Sequence, residues 1–303
     1  MSYETAATNR LGDRSANQDR EAMLEHDGTL LMVVADGMGG HAGGELAAET
    51  VISTFARSFP RTAKPLPDPA AYLKRLIETA HDRVLALARE RQPALDPRTT
   101  CVACVVQEGM AWWAHVGDSR LYLLRDGRVI DRTRDHTYVE ELYQQGVIAQ
   151  EDTRRHPMRN YVTECVGGNE ERPYVSLGAQ TPLAEGDVLL LCSDGLWGAL
   201  GERRIGQLLA EHPLSAAVES MGTEAEMESY PSSDNISIVA VRWAPQAETG
   251  AERRSGPREP ARQAPSEADR LRSAIAEINR ALDEYSDEMG DDGQSARKRR
   301  RRS

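Results

Sequence analysis

The segment AWWAHVGDSRLYLLRDGRVI, residues 111–130, restricts the fold more than any other part of the sequence. Its apolar and aromatic residues predict consecutive antiparallel strands, and Asp126–Gly127 is a dipeptide that closes tight hairpins. Hairpins of this length argue against a purely parallel sheet with helical crossovers. The segment therefore predicts antiparallel pairing at the centre of the domain.

Strands and helices alternate through the first 244 residues, without an internal repeat. The predicted strands cover residues 3–8, 20–26, 29–35, 99–107, 110–117, 119–125, 173–177, 188–193 and 235–242. Two helices are predicted over 43–59 and 68–91, and the second has apolar residues at helical spacing.

Composition limits the classes of protein to consider. The chain has 303 residues, of which 40% are hydrophobic and 28% charged, as in soluble globular proteins. A net charge of −11 argues against a protein that coats nucleic acid. No nucleic acid is therefore expected as a partner of the main domain. The N-terminus lacks the features of a signal peptide, and no apolar run has the length of a membrane span. We therefore expect a cytoplasmic protein.

The four cysteines include the pair Cys101 and Cys104, which has the spacing of a redox or zinc motif. The pair lies in TTCVACVV, which is typical of a buried strand. Residues three apart on a strand point to opposite faces, so the two thiols could not easily bind one metal ion. Buried, unreacted cysteines are the favoured interpretation.

The composition changes at residue 245, which predicts that the main domain covers residues 1–244. Residues 245–266 are rich in Pro, Gly and Arg and predict a flexible linker. Residues 267–289 predict an amphipathic helix, which either pairs in a short coiled coil or docks on the domain or a partner. Residues 290–303 predict a disordered basic tail. Its RKRRRR run could bind nucleic acid, acidic lipid or an acidic protein, but a solvated tail is the favoured interpretation.

Four segments place an aspartate at the boundary of an apolar strand. They are LLMVVADG with Asp36, WWAHVGDSR with Asp118, VLLLCSDG with Asp194, and SSDNISIVAV, where Asp234 precedes its strand. One Asp-Gly pair usually marks a turn, but four such aspartates predict strand ends that meet at a common rim. Converging carboxylates repel one another unless a cation lies between them. Oxygen donors without His or Cys favour Mg²⁺ or Mn²⁺ over zinc.

A pair of such cations would activate water and neutralise phosphate, so the cluster predicts hydrolysis of phosphoesters. The phosphate also needs a cationic partner, best supplied by arginine as a bidentate donor. The segment DRSANQDR supplies Arg14, with Asp19 five residues later, just before a strand. A dinucleotide-binding loop is excluded for DGMGGHAGG, because a GxGxxG pattern that begins at Gly37 has Ala42 where its third glycine belongs.

An ordered set of motifs extends over residues 3–243. It consists of RSANQD, VVADGMGGHAGGE, TTCVACVV, AHVGDSRLYLLRDG, RDHTYVEELYQQGVI, HPMRNYVTECVGG, LLLCSDGLWGAL and SSDNISIVAV. This set resembles bacterial type 2C protein phosphatases, the metal-dependent PPM family. The resemblance implies an α+β fold, namely a four-layer α/β/β/α sandwich with two central antiparallel sheets flanked by helices. It also implies hydrolysis of phosphoserine and phosphothreonine with two Mn²⁺ or Mg²⁺ ions, and a third, weaker ion.

The resemblance assigns metal ligands by motif position. Asp36 would bridge two metal ions, and the carbonyl of Gly37 would help to hold the second. Asp194 and Asp234 would complete the first metal site. Asp118 would join Asp194 at the third site.

The resemblance also assigns residues that act beside the metals. Arg14 would bind the phosphate, and Asp19 would orient the attacking water. Asn235, which is next to Asp234 in the sequence, would support the metal ligands without contacting the metal. The segment from about 137 to 170 would be the variable flap that influences the choice of substrate.

Three positions depart from the family pattern. Gln18 stands where many members have Glu, and Ser233 stands where Asp is frequent. Met38 stands where some members carry a histidine proposed as the general acid. By sequence alone, His41 and His136 are the candidates to replace it, although a metal-bound water could also protonate the leaving oxygen.

The sequence therefore predicts a metal-dependent protein serine/threonine phosphatase that acts by direct attack of a metal-bridging hydroxide. Its expected partners are phosphorylated proteins and a cognate serine/threonine kinase with its substrates. One alternative is a catalytically silent phosphoprotein-binding or scaffold module on the same fold, which would need a broken metal set. Another is a phosphatase for a small metabolite.

Overall fold

The computed structural model describes residues 2–38, 41–90, 96–153 and 155–244. Within these ranges the chain forms two large antiparallel sheets, one small sheet and seven α-helices. The strands are β1 Ser2–Arg10, β2 Arg20–His26, β3 Thr29–Ala35, β4 Gly37–Met38, β5 Arg98–Thr99, β6 Cys101–Gln107, β7 Met110–Val116, β8 Arg120–Arg125, β9 Arg128–Arg132, β10 Val166–Gly167, β11 Ser176–Leu177, β12 Thr181–Pro182, β13 Val188–Cys192 and β14 Ile236–Ala244. The helices are α1 His41–Ser58, α2 Pro69–Glu90, α3 Tyr138–Gln144, α4 Gln150–Thr153, α5 Asp194–Trp197, α6 Glu202–Glu211 and α7 Leu214–Ser229, with a 3₁₀ turn at Phe59–Arg61.

The first large sheet has the strand order β1-β14-β13-β8-β9. The second has the order β11-β7-β6-β3-β2, and β12 also pairs with β7. A small sheet of β10, β5 and β4 lies at the end of β3. Every pairing in these sheets is antiparallel, as the hairpin segment predicts.

Side-chain alternation along the strands creates three apolar layers. In β3, Leu31 and Val33 pack with the buried faces of α1 and α2, whereas Leu30 and Met32 pack with apolar side chains of the first sheet. In β8, Tyr122 turns the other way and packs with side chains of α6 and α7. Strands buried on both faces explain the unbroken apolar sequences. The result is the predicted four-layer α/β/β/α sandwich.

The predicted hairpin at Asp126–Gly127 is confirmed, because both residues have positive φ angles, of 50° and 71°. Such angles at both central positions match the right-handed twist of the flanking strands. The hairpin joins β8 to β9 at the edge of the first sheet.

Two predicted strands differ from the observed ones by more than one or two residues at an end. The single strand predicted over 99–107 is divided at Thr100, because its backbone N–H donates to the Asp36 carbonyl (2.8 Å) instead of continuing the ladder. The strand predicted over 173–177 is reduced to Ser176–Leu177, since Pro173 has no N–H and the Tyr174 N–H donates to Glu164. Helices α3 to α7 were not located by the sequence patterns.

The cysteine interpretation is confirmed for the motif pair. Cys101 and Cys104 are fully buried free thiols and lie on opposite faces of β6, one in each apolar layer. Cys192 is also buried, and Cys165 is half-buried. Burial raises the pKa of the Cys101 and Cys104 thiols far above the usual range, so neither is poised to form a thiolate.

The predicted linker, amphipathic helix and basic tail, residues 245–303, lie outside the described residues. The boundary at residue 244 therefore stays a prediction, although β14 does extend to Ala244. None of the described helices combines the length and apolar character needed to cross a membrane.

Candidate active site

The predicted acidic residues lie at one end of the two large sheets. Asp36 follows β3, Asp118 follows β7 and Asp19 precedes β2. Asp194 follows β13 by two residues and opens α5, and Asp234 precedes β14. Strand register places these ends together, because Arg20 pairs with Ala35 in one sheet and Cys192 pairs with Ile238 in the other. The common rim predicted from the sequence is therefore formed.

Burial, with repulsion among these carboxyl groups added to it, governs the electrostatics of the rim. Desolvation, followed by the charges of Asp19, Asp194, Asp118 and Asp234, holds the pKa of Asp36 well above its usual range. Burial raises the pKa of Asp194 to about 6, and Asp234 adds to the effect. Without a cation the ionised rim is thus strongly disfavoured.

Asp19 is the most buried of the rim aspartates, and its side chain lies near Asp194 and Asp234. Burial is the largest cause that raises its pKa to about 7, and the two neighbouring aspartates add to it, whereas hydrogen bonds from Ser193 and Ser237 oppose it. Its Oδ2 atom is buried and has no hydrogen-bond partner. A buried acceptor without a donor indicates that water or an ion belongs beside it.

The rim side chains are not arranged as a closed metal shell. Within the described ranges, no group of three or more His, Cys, Asp or Glu side chains is positioned to hold one metal ion. Two polar contacts lie within the rim. The Arg14 guanidinium lies 2.6 Å from Asp234 Oδ2, and the carboxyl groups of Asp194 and Asp36 share a hydrogen bond. An all-oxygen set of mutually repelling carboxyls nonetheless fits hard divalent cations.

Two threonines fix the backbone of Asp36. Its carbonyl accepts from the Thr99 hydroxyl (2.8 Å) and the Thr100 N–H (2.8 Å), and its own N–H donates to Thr100 Oγ1 (3.0 Å). Thr100 Oγ1 also contacts Ser119 Oγ at 2.6 Å, beside Asp118. Sequence analysis missed these residues, although the polar pair at the start of TTCVACVV was a visible signal.

Close backbone approach explains two of the glycines. A Cβ atom at Gly37 would lie 2.3 Å from the Gly44 carbonyl oxygen, and one at Gly44 would lie 2.1 Å from Gln18 Nε2. Any larger residue would therefore push the start of α1 away from the rim. Gln18 lies in this junction.

Asn235 anchors the loop that carries Arg14 and Asp19. Its side-chain oxygen accepts from the Gln18 N–H (2.8 Å), and its amide nitrogen donates to the carbonyls of Leu11 (2.9 Å) and Ala16 (3.1 Å). All three contacts are to backbone atoms of the β1–β2 loop. The side chain thus holds the loop against β14 and positions its functional residues.

A charge-compensated cluster lies behind Asp118. Trp197 Nε1 donates to the Asp118 carbonyl (2.9 Å), and the Arg120 guanidinium stacks 3.7 Å above the Trp197 ring. Arg120 makes two hydrogen bonds to Asp135, at 2.8 and 2.6 Å, and a third to Tyr122 (2.9 Å). The pKa of Asp118 is still raised well above the usual range, by burial and then by Asp194, because Arg120 offsets only part of the repulsion.

The histidines named as substitute general acids gain no support. His136 Nδ1 accepts from the Gly117 N–H (3.2 Å), and Nε2 contacts Ser176 Oγ (2.8 Å). Burial, with stacked His115 adding to it, lowers the pKa of His136 to about 4, so the ring is neutral near pH 7 and cannot serve as the acid. The His41 side chain lies outside the described residues.

A catalytic groove of about 480 Å³ opens beside the rim. Its wall includes Arg14, Asp194 and Asp234 from the rim, Arg159 from the segment between α4 and β10, and Glu228 from the end of α7. The predicted flap therefore does border the acidic cluster. Clustered oxygen donors and an arginine beside an open groove are the groups that metal-dependent hydrolysis of a phosphoester requires, and this is the enzyme class that the site fits.

Comparison with known proteins gives the family. The model of the protein phosphatase 2C family matches residues 8–229. The serine/threonine phosphatase stp of Listeria welshimeri serovar 6b is 31% identical over 240 residues, which cover 77% of this chain and 93% of that protein. The chain belongs to the protein phosphatase 2C family, and the resemblance noted in the sequence is confirmed.

Solved structures agree in fold. A serine/threonine phosphatase from S. agalactiae superposes with a TM-score of 0.73 at 30% identity, covering 79% of this chain and 99% of that one. The catalytic domain of serine/threonine protein phosphatase PstP, in complex with two manganese ions, superposes with a TM-score of 0.66 at 28% identity, covering 79% and 97%. The predicted fold and enzyme class, a protein serine/threonine phosphatase, are confirmed.

Proposed function

We propose that this chain removes phosphate from phosphoserine and phosphothreonine in other proteins, with Mn²⁺ or Mg²⁺ held at the acidic rim. The observation that carries the proposal is the Asp19 Oδ2 atom, which is buried and has no hydrogen-bond partner. Burial, followed by the charges of Asp194 and Asp234, raises the pKa of this carboxyl group. Repulsion of this kind is relieved when divalent cations occupy the rim. The two manganese ions in the PstP structure support the same assignment.

The metal ligands proposed are the rim aspartates. Asp36, whose backbone is fixed by Thr99 and Thr100, would contact two ions, and the Gly37 carbonyl would help to hold the second. Asp194 and Asp234 would complete the first site. Asp118, whose pKa is raised by Asp194 more than by any other charged neighbour, would join Asp194 to hold a third, weaker ion.

Bound divalent cations supply a water of lowered pKa and neutralise the phosphate oxygens. Asp19 Oδ2 would accept a hydrogen bond from a water at the rim and orient that water toward the phosphorus atom. Arg14, whose side chain is 57% exposed and contacts Asp234, would be free to bind two phosphate oxygens when Asp234 holds a cation. Asn235 holds Arg14 and Asp19 in register through its three backbone contacts.

The biological role proposed is opposition to a serine/threonine kinase in the cytoplasm. Open access to the groove supports a protein substrate, since a peptide segment can enter it from solvent. The residues after 244 are proposed to bind a partner or a second copy of the chain, and to be dispensable for hydrolysis of small substrates.

Phosphate release from a phosphothreonine peptide, measured with Mn²⁺ and with excess EDTA, tests the proposed function. We expect turnover only with Mn²⁺, and a loss of about 10²- to 10³-fold in kcat for Asp36→Asn. Asp126→Asn is the matched control, because it changes another strand-end Asp-Gly pair, in the β8–β9 hairpin. Turnover in EDTA equal to that with Mn²⁺, or full activity of Asp36→Asn, would refute the metal assignment.

A further inference from the structure

A second cavity, here called the side pocket, adjoins the catalytic groove. It has a volume of about 440 Å³ and is lined by Gly12, Asp13, Glu226, Met227, Tyr230 and Ser233. Three of these residues precede residues that line the groove, since Asp13 is followed by Arg14, Met227 by Glu228, and Ser233 by Asp234. The two cavities are therefore adjacent, and the same three chain segments contribute residues to both.

Because the side pocket adjoins the catalytic groove, only residues close to the phosphoresidue of a peptide substrate could reach it. An extended peptide advances roughly 3.3–3.6 Å per residue. When Arg14 holds the phosphate of a phosphoresidue, a side chain two or three positions away in the peptide lies over the adjoining side pocket. The side pocket is thus placed to contact the substrate sequence rather than the phosphate.

The chemistry of the pocket combines two exposed apolar walls with two carboxylates. Met227 and Tyr230 are 73% and 75% exposed, which is unusual for side chains of their size. Asp13 makes no ion pair with any residue that the structure describes, and only its Oδ2 is engaged, by the Ser233 N–H (2.9 Å). Glu226 shares its Oε2 with Arg10 (2.9 Å). None of the six lining residues is basic.

We propose that the side pocket binds a basic side chain, Arg or Lys, two or three residues from the phosphoresidue of the substrate, a proposal that rests on the function proposed above. The methylene stem packs along Met227, and the cationic group lies near the Tyr230 ring and the carboxylates of Asp13 and Glu226. A purely apolar occupant would strip water from both carboxylates without replacing it, which is unfavourable. Arginine is favoured over lysine because its planar group stacks on an aromatic ring.

The test uses phosphothreonine peptides in an alanine background, with Arg or norleucine placed in turn at positions −3, −2, +2 and +3. Hydrolysis by the full chain is measured at saturating Mn²⁺, and p-nitrophenyl phosphate serves as a substrate without peptide contacts. We expect Arg at one of these positions to raise kcat/KM about fivefold over alanine. We expect norleucine to give less than half of that gain.

Two variants test whether the preference for Arg arises in the side pocket. Met227→Lys places a cation in the pocket and should reduce kcat/KM for the Arg peptide to that of the alanine peptide. Ile130→Lys is the matched control, because Ile130 is also exposed (49%) but lies in β9, at the opposite edge of the first sheet from β1. Turnover of p-nitrophenyl phosphate should be unchanged in both variants.

Three outcomes would overturn the proposal: no preference for Arg at any position, a norleucine gain equal to that of Arg, or an Arg preference that survives in Met227→Lys. Each of these leaves Mn²⁺-dependent hydrolysis of p-nitrophenyl phosphate intact. Failure of the proposed function would instead appear as no Mn²⁺-dependent turnover of any phosphothreonine peptide, so the two failures are distinguishable.

Discussion

Strand β13 carries an aspartate at each end, and the two have opposite surroundings. Asp187, just before the strand, is fully buried but accepts two hydrogen bonds from Arg125, at 2.8 and 2.7 Å, and one from the Ala184 N–H. Asp194, two residues after the strand, has Asp234 as its largest electrostatic neighbour and shares a hydrogen bond with Asp36. One end is satisfied by the protein alone, whereas the other end is not.

This difference separates structural from functional carboxylates more sharply than burial does. A buried carboxylate with a bidentate arginine stabilises its fold without any ligand. A carboxylate among carboxylates lowers the stability of the ionised fold unless a cation binds. The ionised rim therefore needs a bound cation to be stable, whereas the opposite end of the sheet does not.

The largest expected effect of this contrast is on activity. Asp194→Asn should lower Mn²⁺-dependent kcat by about 10²- to 10³-fold, because it removes a metal-binding oxygen. Asp187→Asn should change kcat less than twofold in the protein that remains folded. Initial rates on a phosphothreonine peptide measure both. Comparable losses in the two variants would show that the two ends of β13 do not differ in function.

Metal binding should stabilise the fold through the rim alone. At Mn²⁺ concentrations a hundredfold above the dissociation constant, the free energy of unfolding should rise by about 2.7 kcal/mol. Asp187→Asn should retain this gain, and Asp194→Asn should lose most of it. Urea denaturation with and without Mn²⁺ gives the difference. An equal gain in both variants would place the cation elsewhere.

Without metal, the same two substitutions should change the free energy of unfolding in opposite directions. Asp187→Asn leaves Arg125 without its ionic partner and should lower the free energy of unfolding by about 1–2 kcal/mol, a moderate loss because Arg125 is 42% exposed. Asp194→Asn removes one repelling charge and should raise it by up to about 1 kcal/mol. Urea denaturation in EDTA measures both. Destabilisation by Asp194→Asn equal to that by Asp187→Asn would contradict the contrast.

Much of the fold and the location of the rim could be predicted from the sequence. The apolar strands, the Asp126–Gly127 hairpin and the four strand-end aspartates are local patterns, and local patterns are what side-chain alternation and turn chemistry specify. The two aspartates that flank β13 show the limit. GDVLLLCSDG is nearly symmetric about the strand, and nothing within it says which aspartate meets an arginine.

The missing information is long-range. Arg125 lies 62 positions before Asp187, and Thr100 lies 64 positions after Asp36, so their contacts depend on sheet register rather than on neighbouring letters. The same holds for Asn235, whose side chain bonds the loop that carries Arg14, more than 200 positions earlier. Position in a motif predicted that Asn235 matters. Only the fold shows that it acts by holding a loop.

A further expected effect is a pH dependence confined to the metal-free rim. The pKa of Asp19 is raised to about 7 in the fold, above the value near 4 of an unfolded aspartate. The folded state therefore binds a proton more tightly, and stability rises as pH falls through 7 towards 4, with an upper slope of about 1.4 kcal/mol per pH unit for one proton. Asp19→Asn should remove this contribution, so the difference in unfolding free energy between wild type and variant, measured in EDTA from pH 8 to 5, should change with pH. Saturating Mn²⁺ should flatten the difference, because a cation then replaces the proton. A difference that does not vary with pH in EDTA would mean that Asp19 is already satisfied without a metal ion, as Asp187 is at the other end of the sheet.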